Sequence, residues 1–268
     1  MTNIHPTAIV SPKAQIATDV EIGACAVIED NVKIGSGTKI WPHAIITGHS
    51  TIGKNNKIYP FVSIGLPPQD LSYKGEPTEV IIGDNNTFRE CVTVNLGAVK
   101  GESRTVIGNN NFIMAYSHIA HDCILEDNIV MANGVQLAGH VKVEKFVTFS
   151  GLAGAHHFAT IGQSAFVGGV SRVVQDVPPY MMVQGNPTKV RAVNLVGIER
   201  RGFSPEAIKA IRNAYKLIWH SKNTPSQAIK MLEKKDNLPE VAILVEALRA
   251  MQKGVEGRAR EALRKTGY

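Results

Sequence analysis

The chain has 268 residues, of which 44% are hydrophobic and 19% charged, which is typical of a folded globular protein and excludes a disordered one. No run of 18 apolar residues occurs and the N-terminus lacks a basic start before an apolar core, so we expect neither a transmembrane segment nor a secretory signal. The three cysteines form neither a disulfide framework nor a CxxC metal motif, which favours a cytoplasmic protein.

The net charge of +6 is unevenly distributed. From Leu195 onward the chain has 15 basic and 8 acidic residues, whereas residues 1–194 have 14 basic and 15 acidic. This asymmetry suggests two parts with different roles and an acidic partner for the second part. A solvated basic helical surface explains the charge equally well.

Apolar residues, most of them aliphatic, recur at every sixth position in three runs, which extend over residues 4–64, 82–94 and 107–173. A small or β-branched residue follows most of them by four positions. Six is not a helical period, and it is not the simple alternation of an ordinary strand. It suits a short strand followed by a turn, with three such sides closing one coil of the chain. The repeat therefore predicts a parallel β-helix with one continuous aliphatic core.

Two polar segments that contain Pro or Gly interrupt the repeat, at residues 66–79 and 95–106. We expect both to leave the prism as protruding loops. Long loops on a rigid scaffold often carry functional residues.

The repeat ends near Val173 and is followed by a Pro-rich segment. Three helix-start signals come next, at Ser204–Pro205, Thr224–Pro225 and Leu238–Pro239. We therefore expect a mainly β protein, with a β-helix domain over residues 1–190 and a C-terminal α-helical domain over residues 191–268. Because a bare prism exposes flat sides, a closed symmetric oligomer is expected.

Five of the nine histidines lie in one stretch, and residues one coil apart should form one column on the prism. His121, Gly139 and His157 form such a column, and the other three histidines of the stretch lie close to it in the sequence. The predicted histidine cluster is His118, His121, His140, His156 and His157.

This cluster has three interpretations. The first is a metal site, because zinc commonly binds three imidazoles. In the zinc-dependent carbonic anhydrases of this fold, the third histidine lies about five residues after one of the others, which corresponds here to position 161 or 162. Neither position is a histidine in this chain, which counts against a zinc site. The histidines are otherwise polar surface residues, or they perform acid–base catalysis and bind a substrate. For acyl transfer, His121 would be the general base, Asp122 would orient it and the Gly139 N–H would stabilise an oxyanion. Gly139 is alternatively a tight corner, and neighbours in a strand point to opposite faces, which counts against Asp122.

Longer motifs identify the chain with one family. The motifs are SHIAHDC (117–123), LAGHV (137–141), QDLSYKGEPT (69–78), QDVPPY (175–180) and RRGFSPEAIKAIRNAYKLI (200–218). Together they resemble the UDP-N-acetylglucosamine 3-O-acyltransferases, and the resemblance spans the chain.

The resemblance implies a left-handed β-helix homotrimer with active sites between neighbouring prisms. It implies transfer of a 3-hydroxyacyl chain from acyl carrier protein to the 3-hydroxyl of UDP-N-acetylglucosamine, the first step of lipid A biosynthesis. No metal, other cofactor or nucleic acid is implied. The left-handed coil is an exception to the usual crossover rule.

The resemblance also implies residue roles. His121, Asp122 and Gly139 match the family's catalytic residues. The implied substrate-binding residues are Asp70, His118, His140, His156, Asn194, Arg200 and Arg201. Guanidinium groups suit phosphate binding, and acidic acyl carrier protein suits the basic C-terminal part.

Some positions depart from the family pattern. Ser72 replaces a lysine in the first loop, with Lys74 nearby, and His157 replaces a glutamine that contacts the acyl 3-hydroxyl. Val196 replaces an acidic residue near the nucleotide. Gly169 matches the residue that limits acyl length, which predicts a chain on the order of C12–C14 or longer unless Phe166 blocks the groove.

Other functions remain open at this stage. The acceptor is a 3-hydroxyl or a 3-amine, and a coenzyme A-dependent hexapeptide acetyltransferase is an alternative that would lack the RRGFSPEAI motif. The later N-acyltransferase of the pathway has an additional N-terminal domain, which we do not expect because the repeat begins at Ile4. An ice-binding or scaffold solenoid would have ladders of identical surface residues, which are absent.

Overall fold

The computed structural model describes residues 3–234, 238–254 and 257–258, and these residues form 28 β-strands and four α-helices. The strands are β1 (Asn3–Ile4), β2 (Ile9–Val10), β3 (Gln15–Ile16), β4 (Glu21–Ile22), β5 (Val27–Ile28), β6 (Lys33–Ile34), β7 (Lys39–Ile40), β8 (Ile45–Ile46), β9 (His49–Ile52), β10 (Lys57–Ile58), β11 (Ser63–Leu66), β12 (Glu79–Ile82), β13 (Thr87–Phe88), β14 (Thr93–Asn95), β15 (Arg104–Ile107), β16 (Phe112–Ile113), β17 (His118–Ile119), β18 (Ile124–Leu125), β19 (Val130–Met131), β20 (Gln136–Leu137), β21 (Lys142–Val143), β22 (Thr148–Phe149), β23 (Gly154–Ala155), β24 (Thr160–Ile161), β25 (Phe166–Val167), β26 (Arg172–Val173), β27 (Met181–Gln184) and β28 (Lys189–Val193). The helices are α1 (Leu195–Arg200), α2 (Pro205–Trp219), α3 (Pro225–Glu233) and α4 (Pro239–Lys253).

Successive strands from β1 to β26 fall in turn on three parallel sheets, which form the faces of a prism. The second face contains β2, β5, β8, β11, β14, β17, β20, β23 and β26, in that order. This arrangement is a left-handed parallel β-helix followed by helices, as the sequence and the resemblance predicted.

The core of the prism is the aliphatic stack that the six-residue repeat predicted. Ile22 pairs with Ile40, one coil later, and Ile40 pairs with Ile58 in the same column. All three side chains are buried, whereas Ile4 at the open end of the stack is 41% exposed. Burying each such side chain contributes roughly 1.5–3 kcal/mol, so the stack is the main stabilising feature of the prism.

The corners of the prism use left-handed backbone at residues other than glycine. Among the described residues, nineteen other than glycine have positive φ, and most recur at steps of six, such as Tyr116, Asp122 and Asn128. This conformation is unfavourable for residues with a Cβ, so each corner is held by the sheets that it connects. Asp122 (φ 58°) and His140 (φ 61°) are such corner residues, so the alternation of an extended strand does not apply to them.

Both predicted loops leave the prism where the repeat breaks. Ile52 pairs with Ile82, and Ile82 pairs with Ile107, so each of these two coils is longer than the regular coil that separates Ile22 from Ile40. The extra residues form loops over 67–78 and 96–103, within the predicted segments of 66–79 and 95–106. The loops are shorter than predicted because β11, β12, β14 and β15 extend into those segments.

Past Val173 the structure has elements that the repeat did not predict. β27 adds to the first face in parallel, and β28 returns antiparallel to it. Asn194 caps the N-terminus of α1, since its Oδ1 accepts the N–H of Gly197 at 3.2 Å. The Pro and Gly residues that flank β27 and β28 favour turns, so the sequence did not predict these two strands. α1 has only six residues, too few to show a helical period in the sequence.

The three predicted helices are present as α2, α3 and α4, and each begins with the predicted proline. Ile211, Ile229 and Leu244 from these helices bury their side chains against Tyr180 and Met181 at the end of the prism. The proposed division at residues 190 and 191 stays a prediction. Within the described residues, no helix has the length and apolar character needed to cross a membrane.

The three cysteines differ in accessibility, which predicts selective alkylation. Cys25 is exposed, whereas Cys123 is fully buried and its burial raises its pKa to about 12. The thiolate is the reactive form, so we expect iodoacetamide at pH 8 to modify Cys25 and leave Cys123 unmodified. Peptide mass spectrometry of the native protein measures this, and the same treatment in guanidinium should modify both. Labelling of native Cys123 at the rate of Cys25 would contradict the buried position.

Candidate active site

A cavity of about 430 Å³ lies along the second face, beside the column of His121. Its walls come from successive strands of that face, from the corners that follow them and from the first loop. The lining residues are Gln69, His118, Ala120, His121, Gln136, Leu137, Ala138, Gly139, Gly154, Ala155, His156, His157 and Arg172. Four of the five clustered histidines therefore face one cavity.

His121 and Asp122 form a hydrogen-bonded pair at the wall of this cavity. Nδ1 of His121 lies 2.7 Å from Oδ2 of Asp122, and both side chains are almost fully buried. The expectation that neighbours in a strand point to opposite faces is wrong here, because Asp122 occupies a left-handed corner and its side chain returns to the His121 ring. The carboxylate fixes the tautomer that leaves Nε2 of His121 as a hydrogen-bond acceptor.

The second loop and β15 hold Asp122 from behind. The Ala98 N–H donates to Asp122 Oδ2 at 3.1 Å, and the Asp122 N–H donates to Thr105 Oγ1 at 3.0 Å. Gly101 packs so closely that an added Cβ would lie 2.5 Å from Cγ of Asp122 and 2.6 Å from Cε1 of His140. The loop thus fixes the position of the carboxylate that orients His121.

Gly139 lies one coil from His121 and directly against its ring. A Cβ at this position would lie 2.6 Å from both Cε1 and Nε2 of His121. The backbone N–H of Gly139 donates to no other group in the described part of the chain. The glycine therefore leaves room for the His121 ring and presents a free N–H beside Nε2.

His118 and His140 have different surroundings. Nδ1 of His118 lies 2.6 Å from Thr93 Oγ1, and burial, together with the nearby His121, lowers the pKa of His118. The His118 ring is therefore neutral at neutral pH. His140 lies behind the His121 ring, at 5.1 Å between ring centroids, and stacks on Phe158 at 4.4 Å. The structure thus places His140 outside the cavity of His121.

The first loop brings Asp70 close enough to His121 for the two side chains to interact electrostatically. The Ser72 N–H and hydroxyl each donate to Asp70 Oδ1 at 2.8 Å. These bonds, and the nearby His121 and Lys100, lower the pKa of Asp70, so it is ionised at neutral pH. Ser72 therefore supports the Asp70 carboxylate from within the loop.

His156 and His157 line the other end of the cavity, two coils from His121. Their rings meet edge to face, with centroids 5.0 Å apart. Nδ1 of His156 is buried and has no hydrogen-bond partner among the described residues. A buried polar atom without a partner is costly, and a bound ligand would satisfy it.

The remaining predicted residues lie at other corners of the prism. Gly169 is at the corner that precedes β26, on the opposite edge of the second face from His157. Asn194 donates from its side-chain amide to Ser164 O, and Arg201 donates to Phe146 O and lies over the Phe146 ring at the third corner. Arg200 ends α1 beside it. One chain does not bring these residues to the cavity of His121.

One group of residues could hold a metal ion among the residues that the structure describes. Ligand atoms of His121, Asp122 and His140 lie within 4.8 Å of one another. Two ligands of a tetrahedral zinc ion are roughly 3.3 Å apart, because each Zn–N or Zn–O bond is about 2.0–2.1 Å. The 2.7 Å separation of His121 Nδ1 and Asp122 Oδ2 is that of a hydrogen bond, so the geometry favours an acid–base pair.

Several residues that line the cavity were not predicted from the sequence. Gln136, Gly154 and Arg172 follow His118 at steps of one coil and face the same way on β20, β23 and β26. Their spacing of one coil is the same signal that groups His121 with Gly139. Gln69 could not be found in this way, because it lies on a loop.

Comparisons with known proteins show which family the chain resembles. The family model for domain 2 of UDP-N-acetylglucosamine O-acyltransferase matches residues 176–256. The model for the bacterial transferase hexapeptide matches residues 31–65 and 104–139.

Individual relatives match over nearly the whole chain. The acyl-[acyl-carrier-protein]–UDP-N-acetylglucosamine O-acyltransferase of Herminiimonas arsenicoxydans is 52% identical over 230 residues, which are 86% of this chain and 87% of the relative. The structure of LpxA from Acinetobacter baumannii superposes with a TM-score of 0.89 at 42% identity, covering 92% of this chain and 96% of that chain. The UDP-N-acetylglucosamine O-acyltransferase of Moraxella catarrhalis gives a TM-score of 0.86 at 40% identity with the same coverage.

Proposed function

The chain belongs to the UDP-N-acetylglucosamine O-acyltransferase family, and from that premise we propose its reaction. It transfers a 3-hydroxyacyl chain from acyl carrier protein to the 3-hydroxyl of UDP-N-acetylglucosamine, the first step of lipid A biosynthesis. The observation that carries the proposal is the His121–Asp122 pair, with its Nε2 beside the free N–H of Gly139 in the 430 Å³ cavity.

In this mechanism, Nε2 of His121 accepts the proton of the sugar 3-hydroxyl as its oxygen attacks the thioester carbonyl carbon. Asp122 stabilises the imidazolium that forms. The negative charge on the carbonyl oxygen of the tetrahedral intermediate is stabilised by the Gly139 N–H. When the C–S bond breaks, the thiolate of the carrier protein takes the proton from His121, which returns the enzyme to its starting state.

The other predicted residues bind the substrates. Asp70 is ionised and accepts hydrogen bonds from sugar hydroxyls, and Ser72 holds it in place. His118 is neutral and contacts the sugar nucleotide. His140 packs against the His121 ring next to the bound sugar nucleotide. His156 and His157 contact the acyl chain or the arm that carries it, where the unpartnered Nδ1 of His156 lies.

We propose a homotrimer, because a single chain leaves the site incomplete. Gly169, Asn194, Arg200 and Arg201 would reach the cavity of His121 only from a neighbouring prism. A ridge of exposed apolar residues supports this arrangement; it runs along the corner that includes Gly169 and consists of Phe61, Tyr116, Leu152 and Val170, which are 59–75% exposed. A second copy would remove this ridge from water.

We also propose that the reaction takes place in the cytoplasm. The three cysteines are free, which suits a reducing compartment. The basic C-terminal part would attract acyl carrier protein, which is acidic.

Mass spectrometry of the product tests the proposed reaction. The purified protein is mixed with UDP-N-acetylglucosamine and 3-hydroxyacyl carrier proteins of different chain lengths. We expect one O-acylated sugar nucleotide and a preferred chain on the order of C12–C14, because Gly169 leaves the groove open.

Parallel reactions contain a 3-amino UDP-sugar or acetyl-coenzyme A. Transfer only to the amine would change the acceptor and keep the mechanism. Transfer only from coenzyme A would overturn the assignment of the donor.

A further inference from the structure

One row of outward-facing residues on the second face ends in an arginine. His118, Gln136, Gly154 and Arg172 are the first residues of β17, β20, β23 and β26, and each pairs with the next in register. All four line the 430 Å³ cavity. Adjacent strands are ~4.8 Å apart, so Arg172 lies roughly 14 Å along the prism from His118.

The Arg172 side chain is available to a ligand. Its guanidinium group makes no hydrogen bond or ion pair with the residues that the structure describes, and the residue is exposed. Its backbone is held on both sides, because its N–H donates to Gly185 O at 3.0 Å and its carbonyl accepts the Thr188 N–H at 3.1 Å. The backbone of β26 is therefore fixed at Arg172, while the guanidinium group is left without a hydrogen-bond or ion-pair partner among the described residues.

Gly154 keeps the row open beside Arg172. A Cβ at this position would meet only Gln136 O within 4 Å, at 3.7 Å, and its backbone is not left-handed. Neither packing nor conformation within the chain therefore requires glycine. Its lack of a side chain leaves space between Gln136 and Arg172 for a ligand that extends along the row.

A guanidinium group at the end of an elongated cavity recognises a phosphate. On the proposed function, two substrates carry phosphate: the pyrophosphate of the sugar nucleotide and the phosphodiester of the pantetheine arm on the carrier protein. About 13 covalent bonds separate the thioester sulfur from that phosphorus, and three backbone bonds span ~3.5 Å, so the extended arm is ~15 Å long. This length matches the separation between the coil of His121 and Arg172.

We propose that Arg172 binds the phosphodiester of the pantetheine arm, with the thioester at His121 and Gly139. The part of the row from Gln136 through Gly154 to Arg172 is then the surface along which the arm lies. Arg172 lies at the end of the prism that leads to the basic helical part, which is the side from which an acidic carrier protein would approach.

The test combines substitution of Arg172 with removal of the phosphate from the acyl donor. Wild type, Arg172→Gln and Arg172→Lys are assayed with 3-hydroxyacyl phosphopantetheine and with the same thioester that lacks the phosphate. We expect wild type to prefer the phosphorylated donor in kcat/KM by about tenfold to a hundredfold, the range of a hydrogen-bonded charge pair. The preference should disappear in Arg172→Gln and be partly retained in Arg172→Lys, which keeps the charge without the bidentate geometry.

Controls separate this role from general effects. Arg191→Gln removes an exposed charge outside the cavity and should keep the preference. The melting temperature of Arg172→Gln should equal that of wild type, because its guanidinium has no hydrogen bond or ion pair to lose among the described residues.

Each outcome decides between the alternatives. A preference for the phosphorylated donor that persists in Arg172→Gln overturns the inference. If it persists and KM for UDP-N-acetylglucosamine rises instead, Arg172 binds the pyrophosphate, and the assignment to the arm is wrong. Absence of transfer by wild type from full acyl carrier protein would overturn the proposed function itself and this inference with it.

Discussion

His121→Ala lowers kcat for acyl transfer by about a thousandfold and changes KM for either substrate by less than fivefold, because a general base contributes about 10²–10⁴ to the rate. In this variant no group replaces Nε2 at the sugar hydroxyl. Asp122 is buried behind the missing ring and its Oδ2 is held by the Ala98 N–H, so it cannot reach the substrate. Steady-state kinetics with both substrates measures the effect.

Chemical rescue distinguishes a lost base from a damaged fold. Removal of the His121 ring opens space next to Gly139, at the wall of the cavity, so added imidazole should restore part of kcat in His121→Ala. The same imidazole should not stimulate wild type. Residual activity above a tenth of wild type, or a decrease in melting temperature that accounts for the lost activity, would contradict the role of His121 as the base.

The prism could be predicted because the six-residue repeat that produces it is visible in the sequence. The six-residue repeat records which residue of each strand enters the core, and predicted anchors such as Ile22 and Ile40 are buried at that position. The columns of residues one coil apart followed from the same count and placed His121 beside Gly139. The long coils, such as the one that pairs Ile52 with Ile82, show that the count fails where loops are inserted.

The details of the site could not be predicted from the spacing of residues in the repeat. The direction of the Asp122 side chain depends on a left-handed corner, which sequence spacing does not reveal. The hold on Asp122 comes from Ala98 and Gly101 on an irregular loop, whose path depends on its contacts with the prism. Asn194 was predicted from the resemblance as a substrate-binding residue, and in the single chain its side chain caps α1.

Gly139→Ala is the second change for which we expect a large effect, a decrease of at least about a hundredfold in kcat. The new methyl group would lie 2.6 Å from Cε1 and Nε2 of His121, roughly 1 Å inside the normal contact distance between carbon atoms. The ring cannot rotate away freely, since Asp122 holds Nδ1 and the His140 ring packs against its side. Nε2 must therefore move from its place beside the Gly139 N–H, and a displacement of about 1 Å in a catalytic group costs about 10²-fold.

A second glycine gives a matched control for this substitution. Gly151 is the first residue of a corner, as Gly139 is, but a Cβ at Gly151 would meet only Asn133 O, at 3.6 Å. Gly151→Ala should therefore retain far more activity than Gly139→Ala, because neither side chain of the His121–Asp122 pair lies against Gly151, while Gly139→Ala loses activity with a trimer that still assembles. Because the substitution retains the Gly139 N–H, the loss would measure the position of the His121 ring. Full activity of Gly139→Ala would mean that the reacting groups do not meet at this corner, and the mechanism would have to be assigned to other residues of the cavity.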